Sequence, residues 1–255
     1  MDKLPVSVVI IAKNEERMLP DCLKSVEWAE ELIVVDDAST DQTREIAKSY
    51  GAKVFERKMD NEGAQRNFAY GKAMQPWILS IDADERVSPE LAENIKMEIA
   101  DGGDCAGYAI PIRNFIGTRQ IKAAGYYPSY RMRFFRNGYL KYEEAGVHPR
   151  AFGEGKRGIL KGDLIHYGCR DLTHFVDKLN RQTTLEAEKW IEDRRPMSMG
   201  KILFKIYDRF SRHYFRKKGF TDGFLGFLMS VFHAVYQFFT YVKYLELKNI
   251  ERAKV

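Results

Sequence analysis

Three carboxylates fall within four residues in the stretch Ser80-Ile81-Asp82-Ala83-Asp84-Glu85, directly after the apolar run Trp77-Ile78-Leu79. A D-x-D pair of hard oxygen ligands suits Mg2+ or Mn2+, ions that share a few carboxylates with substrate phosphates. The run Val6–Ala12 is followed by Lys13-Asn14-Glu15-Glu16-Arg17-Met18-Leu19, with no G-x-G-x-x-G whose backbone amides would cradle a diphosphate. A diphosphate held there needs another source of positive charge, and a divalent ion on Asp82 and Asp84 supplies it. A second acidic pair, Asp36-Asp37, ends the run Leu32-Ile33-Val34-Val35, where α/β folds place an acid to read a nucleoside. The plain alternative for either pair is an Asx turn or a helix cap, here ahead of SPELAENIKMEI.

The elements that must hold these acids alternate over the first hundred residues. VSVVIIA predicts a strand, NEERMLPDCLKSVEWA a helix, ELIVVDDAS a strand, and TDQTREIAKSYG a helix stopped by Gly51. KVFER, then the polar-helical EGAQRNFAYGKA, a Gln75-Pro76 turn and the strand WILSID follow. Strand-helix alternation predicts a parallel sheet with helices on its faces. Ligands bind beyond the carboxyl ends of such strands, so Lys13-Asn14-Glu15, Asp36-Asp37 and Asp82-Ala83-Asp84 share one rim. From about Gly107 to Tyr167 short strands rich in aromatics and arginine (YAIPIRNFI, RMRFFRNG, LIHYG) predict a mixed β extension, and beyond Asp171 the pattern is helical.

With 45% hydrophobic and 30% charged residues among 255, the chain is globular, not disordered or fibrous. Cys22, Cys105 and Cys169 are too few and too scattered for a metal knuckle or a disulfide framework and read as cytosolic thiols. The short apolar run at the amino terminus leads into charge rather than a cleavage site, which predicts a first strand and not a signal peptide. The net charge of +5 is uneven: Arg194–Lys218 holds nine Lys or Arg against Asp208 alone, which points to a phosphate-rich partner.

The segments SVVIIAKNEE, LIVVDDASTDQT, GAQRN and LSIDADE, in this order over about residues 5 to 90, resemble the successive motifs of family 2 glycosyltransferases. Those are nucleotide-sugar enzymes of the GT-A fold. The later FFRNG, VHPR and LIHYG with the basic aromatic tail are most similar to bacterial lipopolysaccharide-core glycosyltransferases of the inner-core β-glucosyltransferase type. The resemblance implies a GT-A fold with a parallel-rich central sheet flanked by helices, and a C-terminal helical extension. Residues 1–170 are then the catalytic domain, with 1–100 the nucleotide-sugar half and 101–170 the acceptor-side mixed β half, and 171–255 is the extension.

The resemblance also implies roles. Ala12, Glu15, Asp36 and Asp37 line the nucleoside pocket, Asp37 accepting from the uracil or ribose. Asp84 ligates the metal, and Asp82 contacts it or the ribose. Arg66 of GAQRN pairs with the acidic rim or the diphosphate, supported by Asn67; otherwise Arg66 is an exposed helical charge. Many relatives carry a proline at the exit of strand one and an acid after V-H, where this chain has Ile11-Ala12-Lys13 and Val147-His148-Pro149. The base that an inverting transfer needs to take the acceptor proton is therefore open among Glu144, Glu143 and His148, with Glu85 behind them, and a solvated turn is the alternative for Glu143-Glu144. His166 is a candidate third metal ligand, or a histidine kept for packing.

In the tail, Leu203, Ile206, Tyr207, Phe210 and Tyr214 fall on one helical face and Lys201, Lys205, Arg209, Arg212 and Arg216 on the other. That pattern predicts an interfacial anchor to anionic lipid, or else a helix packed on the catalytic domain. Residues 223–242 carry no charge, but Ser230, His233, Gln237 and Thr240 predict an interface or a subunit seam rather than a span. The expected enzyme is an inverting, metal-dependent hexosyltransferase on the inner face of the cytoplasmic membrane. Its expected partners are a UDP-sugar, a lipid-linked or lipopolysaccharide-core acceptor and an anionic membrane surface, with a second copy through the C-terminal helices as the other option, and no nucleic acid. Two alternatives stand beside it: a D-x-D phosphatase, against which Arg86 counts by standing where Thr or Val belongs, and a catalytically inactive membrane-binding module.

Overall fold

The computed structural model describes residues 3–144 and 150–253. The chain divides into two compact units, residues 1–112 with 130–166, and residues 113–129 with 167–255.

In the first unit the apolar runs form parallel strands, as expected where both faces of a sheet are covered. β1 (Leu4–Ala12) lies between β2 (Ala29–Asp36) and β4 (Trp77–Asp82), with β3 (Lys53–Glu56) outside β2. Ala12 stands opposite Asp36 and Ile11 opposite Asp82, so the register brings the acidic strand ends together on one rim. α1 (Leu19–Lys24), α2 (Thr43–Ser49) and α4 (Pro89–Ala100) pack Leu19, Leu23, Ala47, Leu91 and Ile95 against Val8 and Ile10 on one face. α3 (Glu62–Tyr70) sets Ala69 and Tyr70 against Val9, Ile33 and Val35 on the other. The α/β class is the expected one.

The Asn61 side chain caps α3 by accepting from the Ala64 amide, and the Ser88 hydroxyl caps α4 by accepting from Leu91. α1 is shorter than the helix expected from Asn14 onward, because the Asn14, Glu15 and Glu16 amides are bonded to side chains of the loop after β2 and of the first residue of α2.

The acids after Asp82 do not all sit in a loop. β5 (Glu85–Val87) runs antiparallel to β12 (Leu164–Cys169), with Glu85 opposite His166. Between them in sequence come β6 (Gly107–Ile116), β7 (Arg119–Gln120), β8 (Ser129–Arg136), β9 (Lys141–Tyr142), β10 (Ala151–Phe152) and β11 (Arg157–Ile159). β8 pairs antiparallel with β4, Ile78 opposite Phe135, which makes the sheet mixed.

The second unit is built on α5 (Leu172–Glu192), α6 (Met199–Ser211) and α7 (Gly223–Ala253). The Asp171 side chain caps α5 by accepting from the His174 amide. Leu225 and Met229 of α7 pack on Ile121 and Ala124, while Tyr241 and Tyr244 pack with Ala187, Trp190 and Ile202. The expected regular helix over 201–216 is corrected: α6 stops at Ser211, and Arg212–Arg216 form a π turn before a 3-10 turn at Gly219–Asp222. That tight return needs glycine, since a Cβ at Gly226 would lie 1.9 Å from the Gly219 carbonyl oxygen. The expected face shifts too. Ile202 and Ile206 turn inward, whereas Leu203, Phe204 and Tyr207 are exposed.

Candidate active site at the acidic rim

The first two strand ends are tied to each other by side chains. Asn14, in the left-handed region at φ 54°, receives the Thr40 amide on its side-chain oxygen and gives its own amide to the Ser39 hydroxyl. The Glu15 amide donates to the Thr43 hydroxyl, the Glu16 amide to Asp41, and the Gln42 amide returns to the Glu16 carboxylate. KNEE and DDASTDQT are thus two halves of one scaffold, in which short polar side chains do the work of backbone pairing. The sequence placed Asn14 and Glu15 at the rim but not their partners Ser39, Asp41 and Thr43; the crowding of Ser, Asp and Thr after Asp37 was the available signal.

Within that scaffold the Asp37 amide donates to the Ala12 carbonyl, and the Asp37 carboxylate accepts from the Met59 amide at 2.7 Å and from Lys13 Nζ at 2.9 Å. Burial opposes its ionisation, but the Met59 amide and Lys13 outweigh that and hold its carboxyl below the ordinary value. Asp36 is fully buried. Its Oδ2 accepts from the Ser39 amide, and its Oδ1 is buried without a hydrogen-bond partner among the described residues.

At the end of β4 the three acids are separated by environment. Asp82 is paired on both oxygens, Oδ1 to Arg66 at 3.1 Å and Oδ2 to Arg133 at 2.8 Å. Desolvation disfavours its charge, yet Arg133 and Arg66 hold the carboxyl well below the usual carboxylate range. Glu85, 2% exposed, accepts from the Asp82 amide and from Arg133. Burial pushes its carboxyl up; Arg133 opposes that and the Asp82 charge reinforces it. Asp84 stands apart, partly exposed, with Oδ2 3.3 Å from His166 Nε2 on β12.

Arg66 is not an exposed helical charge. Its side chain is buried, bonded to Glu62 and Asp82 and lying over the Tyr142 ring. Asn67 grips the strand that leads to the candidate bases: it donates to the Tyr142 carbonyl and the Glu144 carboxylate and accepts from the Tyr142 amide. Glu143 and Glu144 are exposed, the Glu143 amide donating to Arg150. His148 lies outside the described residues. Arg133 is the residue that sequence reasoning missed. Its signal was the three acids themselves, since carboxylates withdrawn from water need a cation, and RMRFFRNG was the arginine-rich strand at hand.

Among the described residues, no group of three or more His, Cys, Asp and Glu side chains is arranged around a single metal position. Asp84 and His166 fit a divalent ion as a pair: one carboxylate oxygen and one imidazole nitrogen, a donor set that suits Mn2+ better than Mg2+ and leaves the other positions to substrate phosphates. Asp82 has both oxygens on arginines, Arg66 and Arg133.

The chain is similar to the lipopolysaccharide core biosynthesis glycosyltransferase LpsC of Rhizobium meliloti, 30% identical over 94% of this chain and 92% of the relative. It is 29% identical to an uncharacterised glycosyltransferase of Rickettsia typhi over 95% and 87%. Among solved structures it is similar to S. aureus TarS 1–349 in complex with UDP, at 26% identity and TM-score 0.40, covering 47% of this chain and 38% of that one. The model of the glycosyl transferase family 2 matches residues 7–161, a stretch that contains the whole acidic rim with both of its arginines, and the chain belongs to that family of enzymes.

Proposed function

We propose that this glycosyltransferase moves a hexose from a UDP-sugar, with inversion, to a lipid-linked or lipopolysaccharide-core acceptor at the inner face of the cytoplasmic membrane. The observation that carries the reading is the division of labour at the end of β4. Asp82 is neutralised by Arg66 and Arg133, while the neighbouring Asp84 is left to His166 and solvent. A phosphatase would need Asp82 free to attack, and here it is not.

Asp36 and Asp37 line the nucleoside side of the rim in this proposal, Asp37 as the acceptor and the fully buried Asp36 holding the loop behind it through the Ser39 amide. Lys13 and Arg66 add positive charge where the diphosphate must lie. Asp84 and His166 would hold a divalent ion, which when bound stabilises the charge that develops on the departing diphosphate. Glu144, oriented by Asn67, takes the proton from the acceptor hydroxyl as that oxygen attacks the anomeric carbon. Support for the acceptor class comes from the relative named for lipopolysaccharide core biosynthesis.

The test is a panel of nucleotide-hexoses offered to the purified full chain with Mn2+ or with chelator, following release of nucleoside diphosphate. Turnover of a UDP-hexose that depends on Mn2+ and disappears in Asp84→Asn, with calorimetric loss of Mn2+-dependent UDP binding, is the expected result. Unchanged Mn2+-dependent turnover in Asp84→Asn would sink the metal assignment. Consumption of only non-uridine donors would replace the nucleotide.

A further inference from the structure

α7 keeps most of its polar side chains inside and many of its aromatics outside. Its buried side joins apolar Leu225, Met229, Tyr241 and Tyr244 to polar groups: Ser230 and Thr240 are fully buried, their hydroxyls turned onto the Gly226 and Tyr236 carbonyls, and Gln237 is 8% exposed. His233 stacks on His213 with ring centroids 3.5 Å apart. These are the residues that argued from sequence against an apolar environment for this helix, and the fold turns them inward. Its open side is aromatic instead, with Phe224 73%, Phe227 42% and Phe238 49% exposed. A helix facing water shows it a polar side, so the aromatic outer face of α7 is built for an apolar medium.

That face is continuous with the end of α6. Phe210 and Tyr214 contact the ring of Phe227, Tyr214 also meets Phe220, and Phe224 meets Phe227. Phe215 and Phe220, both more than half exposed, widen the patch, while Phe204 and Tyr207 extend the exposed apolar side back along α6. The turn between the helices carries exposed Arg216, Lys217 and Lys218. Aromatics at the level of a basic turn match the boundary between acyl chains and anionic headgroups.

Although Gly219–Ile250 is long and apolar enough to cross a bilayer, α5 rules that out. It lies along α7 through Phe175–Phe232, Tyr236–Gln182, Lys243–Asn180 and Trp190–Tyr244. Its free side exposes Asp177, Lys178, Arg181, Glu188 and Glu192. Carrying five such charges into hydrocarbon is prohibitive.

We propose that the helical unit docks in the plane of an anionic bilayer, with Phe204, Tyr207, Phe215, Phe220, Phe224 and Phe227 in the headgroup–acyl boundary, Arg216–Lys218 on the lipid phosphates and α5 facing water. This deepens the membrane part of the proposed function and does not depend on the donor site.

The full chain is mixed with vesicles of phosphatidylcholine alone or with one third phosphatidylglycerol and floated on a density gradient at low and high salt. The wild type should float with the anionic vesicles and leave them as salt rises. Phe204→Glu/Phe224→Glu alters only exposed positions, so its circular dichroism and its hydrolysis of a soluble donor should stay unchanged while its vesicle partition falls at least tenfold. Wild-type protein that ignores anionic vesicles overturns the proposal, as does a double variant that floats as well as the wild type. A concentration-dependent dimer in light scattering that the double variant abolishes, without vesicle binding, assigns the face to a second copy. Because hydrolysis is read separately, failure of docking and failure of the donor assignment are distinguishable.

Discussion

Arg133 shows how much one side chain can organise. It bridges Asp82 and Glu85 at 2.8 and 2.9 Å, and without it the buried Glu85 carboxylate loses its cation while the partly exposed Asp82 keeps Arg66. Removing one partner of a buried ionic group costs about 3–5 kcal/mol, because the remaining charges stay buried. Arg133→Met should lower the urea unfolding free energy by about that amount, and Arg133→Met/Glu85→Gln should lose less than the single change. A loss under about 1 kcal/mol would show the bridge to be dispensable. The candidate base is a separate question at the same scale. Glu144→Gln keeps the bond to Asn67 but removes the proton acceptor, so turnover should fall by roughly two to four orders of magnitude with UDP binding retained. If turnover survives there and drops in Glu143→Gln or His148→Ala, the role moves accordingly. Residue identities at the rim were legible because their spacing repeats a known family's motifs. Their partners were not, since Arg66 and Arg133 reach Asp82 and Glu85 across 16 to 51 positions, and a single sequence holds no record of which distant charges touch.

Strands and helices were legible in proportion to their periodicity. The parallel strands and α3, α4 and α5 fall where apolar runs, Asn61, Ser88 and Asp171 place them. Illegible were the places where side chains replace backbone order. β5 is three residues long and exists only because β12 comes to lie beside it, and the segment Lys13–Met18 carries helix-forming residues whose amides are drawn off to Ser39, Asp41 and Thr43. The loop scaffold makes a graded prediction. Asn14→Gly keeps the left-handed conformation but loses the bonds to Thr40, about 1 kcal/mol. Asn14→Ala loses the same bonds and adds roughly 1 kcal/mol of backbone strain. Both should weaken UDP binding, Ala more than Gly, in calorimetry and urea unfolding. Equal effects of the two would mean that the φ of Asn14 carries no weight.

At the scale of the whole molecule the two units carry different titrating groups, and acid should distinguish them. In the helical unit, burial lowers His233 to about 3, helped by His213, Lys217 and Arg209. His213 is also lowered, by burial first, against the pull of the Ala124 carbonyl it bonds. A histidine whose folded value lies below its ordinary value of about 6.5 gives stability that is complete above that pH and is lost below it, by at most about 1.4 kcal/mol per pH unit each. In the sheet unit the lowered groups are carboxylates, Glu31, Asp37, Asp41 and Asp82, whose contribution is complete above about pH 4 and is lost only below. Glu85 is raised, so its sign is opposite: the stability it withholds at neutral pH is regained as pH falls towards its ordinary value, above the range of that acid loss. Tryptophans report the units separately, with Trp28 and Trp77 in the first and Trp190 in the second. In Trp28→Phe/Trp77→Phe the Trp190 signal should show its urea midpoint falling between pH 7 and 5, and His233→Phe should flatten that fall. In Trp28→Phe/Trp190→Phe the Trp77 midpoint should hold over the same range and drop only below about pH 4. Midpoints that fall together between pH 7 and 5, or a Trp190 midpoint indifferent to His233→Phe, would remove the stacked histidines as the acid-sensitive element of the helical unit.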